Sequence, residues 1–173
     1  MADLSLVQLK EMIVNVPDFP KPGILFKDIT PILENPAAFR SLIYEFCLII
    51  PENVTKIVAI ESRGFILGAA IAHHFNKGLV LVRKPGKLPR KTYSQSYALE
   101  YGTDSLEIHQ EALGRDDKVI IIDDVLATGG TAHAVESLCK TCGAEVLGHR
   151  FLLEISFLQG RKKLQAETIS LMT

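Results

Sequence analysis

The chain has 173 residues, 47% of them hydrophobic and 23% charged, which suits one folded domain and excludes disorder as its main state. Nineteen Lys and Arg face twenty Asp and Glu for a formal net charge of −1, so no global positive field recommends nucleic acid as a partner. An uncharged run near the middle, residues 64–72, falls far short of the roughly 20 residues needed to cross a bilayer.

The opening MADLSLVQLKEM has acids and amphipathic spacing, with no basic region leading into an apolar core, so no signal peptide is expected. Three cysteines cannot all pair, and a reducing cytoplasm is the simplest location. Leu6, Leu9, Ile13 and Val16 recur at spacings of three and four, predicting a helix over residues 1–16 that Pro17 ends. Four prolines between Pro17 and Pro31 predict a stiff, mostly extended segment. A second helix starts at Pro36, carries Phe39, Leu42, Ile43, Phe46 and Ile50 inward, and stops at Pro51.

A β-α-β pattern follows: KIVAI at 56–60, an apolar helix over 64–75 closed by Asn76-Lys77-Gly78, and LVLVR at 79–83. Residues 84–104 are polar, basic at first, and lack a core face; 106–109 read as a short strand. A second unit has KVIII at 118–122, a helix over 131–142 with Gly143 after it, and a strand over 145–153. Such units make a parallel sheet with right-handed crossovers. Ligands of such sheets sit beyond the carboxyl ends of the strands.

The sharpest feature is VIIIDDVLATGGTA, Val119 to Ala132. A buried strand runs into Asp123 and Asp124, and the turn Ala127-Thr128-Gly129-Gly130-Thr131 then opens a helix. Gly129 and Gly130 permit backbone angles that let N–H groups converge on one oxyanion. The helix start adds unpaired N–H groups and partial positive charge, and Thr128 and Thr131 add hydroxyls. The lysine of a Walker loop and the spaced glycines of a dinucleotide fingerprint are both missing. Two carboxylates before the cradle suit vicinal hydroxyls, so the composite reads as a sugar-phosphate site: phosphate in the turn, hydroxyls on Asp123 and Asp124.

That stretch resembles the phosphoribosyl-pyrophosphate (PRPP) motif of the type I phosphoribosyltransferases. FPKPGILFKDITPIL, ESRGFILG, VRKPGKLP, YALEYGTDSLEIH and LEISFLQGRKKL, in that order along the chain, resemble the adenine phosphoribosyltransferase branch of that family. The resemblance implies an α/β fold: a mainly parallel five-stranded sheet flanked by helices, with a small N-terminal hood. It implies a single domain over 1–173, with about 1–35 contributing the hood, 36–173 the core, and a mobile loop over about 87–104. It also implies the purine-salvage reaction adenine + PRPP to AMP + pyrophosphate, with Mg²⁺, in a homodimer, without nucleic acid or membrane.

Arg63, Arg83, Lys84 and Lys87 follow strand ends and can converge on one multiply charged group. The resemblance assigns Ser62, Arg63, Lys84 and Lys87 to pyrophosphate and lets Arg83 reach the site of the dimer mate. It also implies a non-proline cis peptide between Glu61 and Ser62, aiming backbone N–H groups at pyrophosphate. Leu25, Phe26 and Lys27 resemble the adenine-binding hood, with Lys27 reading the base edge through its backbone, and Ile155 resembles the aliphatic support of the other ring face. Without the resemblance, Leu25 and Ile155 read better as plain core, and Phe26 reads as hood packing.

The resemblance makes residues 87–101 a lid, with Glu100 near the base and Tyr101 aiding closure; Arg63 joins these two as the expected catalytic set. Breaking the C1 bond of PRPP leaves an oxocarbenium-like ribose that water would intercept, so closure must precede chemistry. The attacking purine nitrogen sheds a proton, for which Glu100 is the candidate acceptor. Mg²⁺ is expected to be held mainly by PRPP and water, with no assigned protein ligand. Composition alone reads Glu100 as a solvated acid; for the basic run over 83–91 a solvated surface is the lesser alternative.

Other signals carry no chemistry. Cys139-Lys140-Thr141-Cys142 falls near a helix C-terminus, where a redox pair gains nothing from the dipole, and no second pair completes a zinc site. His73-His74 lacks acids at ligand spacing. No GxSxG or HExxH occurs. Two rivals remain: a phosphoribosyltransferase for hypoxanthine, guanine or xanthine, and a non-catalytic PRPP-sensing regulator. The hood and the segment around Ile155 discriminate the first; the second usually adds a DNA-binding module, which 173 residues do not display.

Overall fold

The computed structural model describes residues 4–98 and 103–173. Its chain divides into two compact units, Met1–Leu48 with Met172, and Ile49–Leu171 with Thr173. No helix among the described residues is long and apolar enough to cross a membrane.

The first unit begins with α1 (Leu6–Glu11), whose start is a capping box: the Gln8 N–H donates to Ser5 Oγ and the Ser5 N–H to Gln8 Oε1. The helix is shorter than its apolar spacing predicts. Residues 14–17 instead form β1 (Val14–Pro17), paired antiparallel with β2 (Leu25–Asp28), so that Val16 faces Phe26. Valines at 14 and 16 fit a pleated pair better than a helical turn, and the partner strand supplies the bonds. The extended segment ends earlier than expected. Asp28 accepts from the Thr30 N–H at 2.9 Å, and α2 (Thr30–Glu34) starts there. Pro31 sits in its first turn, where a missing N–H costs nothing. In α3 (Pro36–Leu48), Asn35 Oδ1 accepts from the Ala37 and Ala38 N–H groups, and Ala38, Leu42 and Phe46 are buried.

The second unit holds β3 (Lys56–Ile60), α4 (Arg63–His74), β4 (Gly78–Val82), β5 (Thr92–Ala98), β6 (Thr103–His109), β7 (Lys118–Leu126), α5 (Gly130–Thr141), β8 (Glu145–Glu154) and all but the last residue of β9 (Thr168–Met172). Five strands make one sheet in the order β4-β3-β7-β8-β9, with β3–β4, β3–β7 and β7–β8 parallel. This is the mainly parallel, helix-flanked sheet that the resemblance implied. Alternation divides its side chains. Val58, Ile60, Val80, Val82, Val119 and Ile121 join Val135 and Leu138 of α5 in one core cluster. On the other face α4 lies close: a Cβ at Gly68 would come within 2.7 Å of Ala59 Cβ.

Two elements differ from the sequence reading. Residues 92–98 form β5, paired antiparallel with β6 as a separate ribbon, where no regular element was expected. Its sequence, TYSQSYA, is polar and pairs only with β6, so no apolar run announces its strand character. β7 also continues four residues past Ile122, because Asp123, Val125 and Leu126 keep pairing with Phe151, Leu153 and Glu154 of β8. Asp123 and Asp124 thus sit within the strand, held by its ladder, and not in the loop after it. The Glu61–Ser62 peptide is cis, as is Phe19–Pro20.

Candidate active site

The turn after β7 is built by close backbone approach. Gly129 has φ of 77°, and a Cβ there would run into the carbonyl oxygen of Gly160. A Cβ at Gly160 would in turn run into the carbonyl of Ala127. The short 3₁₀ turn Gly160–Lys163 therefore forms a back wall for the turn. Gly129 caps α5 with no side chain, so the first-turn N–H groups of a 12-residue helix meet no side-chain cap. A cavity of about 80 Å³ lies here, with Ala127, Thr128, Gly129 and Thr131 in its lining. Beneath it, Leu126, Ala132 and Phe151 form a buried cluster joined by Leu164.

A second cavity of about 300 Å³ adjoins the first and shares Asp123, Val125, Ala127 and Thr131 with it. Ser62, Arg63 and Asp124 are also in its polar lining. The end of α4 is brought in by Gly64, whose Cβ would stand 2.8 Å from the Ile122 carbonyl and 3.0 Å from Asp123 Oδ1. Arg63 Nε then lies 2.7 Å from Asp124 Oδ2. The Asp124 N–H donates to Asp123 Oδ1 at 2.9 Å.

The two carboxyls are electrostatically uncomfortable. Loss of water pushes Asp123 well above the usual carboxylate range, and the neighbouring Asp124 charge pushes it further. Burial also raises Asp124, with the Arg63 guanidinium pulling the other way. Such a pair favours a ligand that brings hydroxyl donors or a cation to it. No group of three or more His, Cys, Asp or Glu suited to a metal occurs among the described residues. The donor set fits a divalent cation that takes one or two carboxylate contacts and draws its other oxygens from a bound phosphate ester and water.

The basic segment is tied to the same place by a residue the sequence reading gave no role. Glu61 Oε2 accepts from Arg83 Nε at 3.1 Å and from the Lys84 N–H at 3.0 Å, and Glu61 lines the larger cavity. Arg83 also donates to the Lys87 carbonyl, and Lys84 Nζ lies 3.3 Å from Asp104 Oδ2. An acid beside the SRG motif was visible in the sequence, but its partners lie 22 and 23 residues on. Tyr97 is a second such residue. It lines the larger cavity, and its hydroxyl donates to Asp104 Oδ2 at 3.4 Å. Burial pushes its phenol up, opposed by a hydrogen bond with Thr131. Gly160 is a third, and nothing local in sequence marks a wall 31 residues from Gly129.

Leu25, Phe26 and Lys27 lie on β2 of the first unit. Leu25 is 49% exposed, Phe26 packs edge-on against Phe19 at 5.0 Å, and Lys27 Nζ donates to Asn15 Oδ1 at 2.6 Å. Ile155, in the second unit, is half-buried just after β8, its N–H donating to the Leu126 carbonyl. Glu100 and Tyr101 fall outside the described residues, as do Leu99 and Gly102.

Comparison with known proteins adds family evidence. A family model described as "Phosphoribosyl transferase domain" matches residues 28–163. The chain is 55% identical over 163 residues to an adenine phosphoribosyltransferase of Synechococcus sp. (strain JA-3-3Ab), covering 93% of each chain. It superposes with a TM-score of 0.95 on the crystal structure of adenine phosphoribosyltransferase from Thermoanaerobacter pseudethanolicus, at 48% identity over 97% of this chain and 99% of that one. The enzyme from Trypanosoma brucei, solved in complex with AMP, pyrophosphate and ribose-5-phosphate, matches with a TM-score of 0.87 at 26% identity, covering 98% of this chain and 82% of that one.

Proposed function

The chain belongs to the type I phosphoribosyltransferase family, among its adenine phosphoribosyltransferases, and from that premise we propose that it transfers 5-phosphoribosyl from PRPP to adenine, giving AMP and pyrophosphate for purine salvage. The observation that carries this reading is the glycine-backed turn placed directly after Asp123 and Asp124, with Arg63 across the same cavity. Residues 127–131 take the 5′-phosphate through N–H groups and threonine hydroxyls. Asp123 and Asp124 accept from the ribose hydroxyls. When that happens the Arg63–Asp124 pair loosens, and Arg63 turns with Ser62, Lys84 and Lys87 toward pyrophosphate.

Mg²⁺ would be held mainly by the substrate's own oxygens and water, with no assigned protein ligand, and would supply neutralising charge for the pyrophosphate. The protein's part is to hold the ribose fixed, exclude water and manage one proton. Leu25, Phe26, Lys27 and Ile155 are assigned to the adenine, Lys27 through its backbone. Glu100 takes or orients the proton of the attacking nitrogen, and Tyr101 aids closure. Residues 1–35 serve as hood, 36–173 as core, and about 87–104 as the closing loop.

The reading includes a homodimer in which Arg83 reaches the partner's site, and a cytoplasmic location consistent with the free thiols of Cys47, Cys139 and Cys142. Product detection with PRPP, Mg²⁺ and each purine base supplied separately tests it. Adenine alone should give nucleotide and pyrophosphate at high efficiency. Turnover only with hypoxanthine, guanine or xanthine would overturn the base assignment, and binding of PRPP without turnover on any purine would overturn catalysis.

A further inference from the structure

The back wall of the phosphate turn has its own fastening. Residues 155–167 leave β8, pass Gly160 behind Ala127 and Gly129, and return to β9. At the far end of this passage the Gln165 N–H donates to Glu136 Oε2 at 3.2 Å, and Gln165 Oε1 accepts from Lys140 Nζ at 2.8 Å. Glu136 and Lys140 belong to α5, the helix whose first turn forms the cradle.

Glu136 is 1% exposed, and its carboxylate is the meeting point of three elements. It accepts from Lys140 on its own helix at 2.6 Å, from His149 Nε2 on β8 at 3.0 Å, and from the Gln165 N–H. Burial by itself would raise this carboxyl, but the bonds from Lys140, His149 and Gln165 overcome it and hold it at about 2. A carboxylate can only accept, so Nε2 of His149 carries the proton. Burial pushes His149 down, leaving it a neutral donor, with Nδ1 buried and unpartnered among the described residues. The one anion at this junction is therefore Glu136, and α5, β8 and the back-wall segment are oriented by donating to it.

We propose that Glu136 is a positioning residue for 5′-phosphate binding: by fastening Gln165 to α5 and β8, it holds Gly160 against the Ala127–Gly129 backbone and so fixes the direction of the cradle's N–H groups. Leu164, adjacent to Gln165, supports the same wall by packing on Leu126, Ala132 and Phe151. Glu136 touches no substrate. Its effect is confined to the phosphate end, because Arg63 is held by Asp124, the Lys84 N–H by Glu61, and the Lys87 carbonyl by Arg83.

The inference rests on the reading that residues 127–131 bind the 5′-phosphate, and the experiment separates the two. Calorimetry with ribose 5-phosphate and, independently, with pyrophosphate is run on the full chain, on Gly129→Ala and on Glu136→Gln. Steady-state kinetics and melting curves accompany it. Glu136→Gln keeps size and one acceptor oxygen, and should raise Kd for ribose 5-phosphate and KM for PRPP by about 5- to 20-fold, since small misplacements of binding groups are costly. Pyrophosphate affinity and kcat should stay within about threefold. Glu136→Ala should do the same more strongly; if it fails to fold, the Gln variant alone decides.

Weaker ribose 5-phosphate binding in Gly129→Ala with normal binding in Glu136→Gln would overturn the positioning role and leave the site standing. Normal binding in Gly129→Ala would overturn the site and the inference together. A lowered melting temperature in Glu136→Gln with both Kd values unchanged is what a merely structural role predicts, and it too would overturn the proposal.

Discussion

At the level of single residues, the cavity concentrates unfavourable charge where a sugar is to be bound. Asp123 has a raised pKa in the folded chain, from lost hydration first and from Asp124 second. The folded state therefore holds a proton more tightly than the unfolded state does. Stability from this group is present below the ordinary carboxylate pKa and is lost as pH rises through the raised folded value. Asp123→Asn removes that loss. It should melt at a higher temperature than the parent at pH 7, with the difference vanishing toward pH 3, as calorimetric melts across pH would register. The same variant should bind PRPP about tenfold or more weakly, because a charged hydrogen-bond acceptor to a ribose hydroxyl is gone. An unchanged melting temperature at neutral pH would mean the carboxyl is already well compensated. The Glu61 carboxylate acts as a tether. It is placed between donors on Arg83 and Lys84 and keeps the basic turn beside the strand end.

Among elements, the decisive contact is the approach of α4 to the sheet. Gly64 and Gly68 let the helix lie where a Cβ would touch the Ile122 carbonyl and Ala59 Cβ. Arg63 reaches Asp124 because of that approach. Gly68→Ala sets two effects against each other. Helix propensity gains up to about 1 kcal/mol. Overpacking against Ala59, with no flexible side-chain end to yield, costs about 1–3 kcal/mol. The second should win, so Gly68→Ala should lower stability in urea titrations and weaken pyrophosphate binding by shifting Arg63. A more stable variant with normal pyrophosphate affinity would show that the strand yields instead. The β5–β6 ribbon makes a related point about legibility. Residues 56–60 and 118–122 were readable as strands because both faces are covered and the sequence is a continuous apolar run. TYSQSYA was not, because its pairing partner is β6 alone, and a strand of polar residues carries no signature of its own.

For the molecule as a whole, the second unit is organised around β7, the middle strand of five, which both fills the core and ends in the site. Ile121 is fully buried there, two residues before Asp123. Ile121→Ala should cost about 2–5 kcal/mol by loss of burial and creation of a cavity, with an unchanged m-value in denaturant titration. At temperatures where it stays folded, its KM for PRPP should rise less than that of Asp123→Asn. Cys139 is also core: burial raises its thiol, so it should resist alkylation in the native state.

The alternating units, the helix-opening turn at 127–131 and the two acids before it are legible in the chain, because these depend on apolar runs and on glycine and cap chemistry within a dozen residues. Arg63, Arg83 and Lys84 are legible at strand ends for the same reason. Folding in three dimensions is what holds Asp123 and Asp124 inside a strand, brings Arg63 to Asp124, lets Glu61 gather the basic turn, and sets Gly160 behind Gly129. Those contacts join residues from 22 to 61 positions apart, brought together by the burial of a shared core and the ladder of a common sheet; apolar runs mark which segments are buried, but nothing local marks which distant residue each one meets.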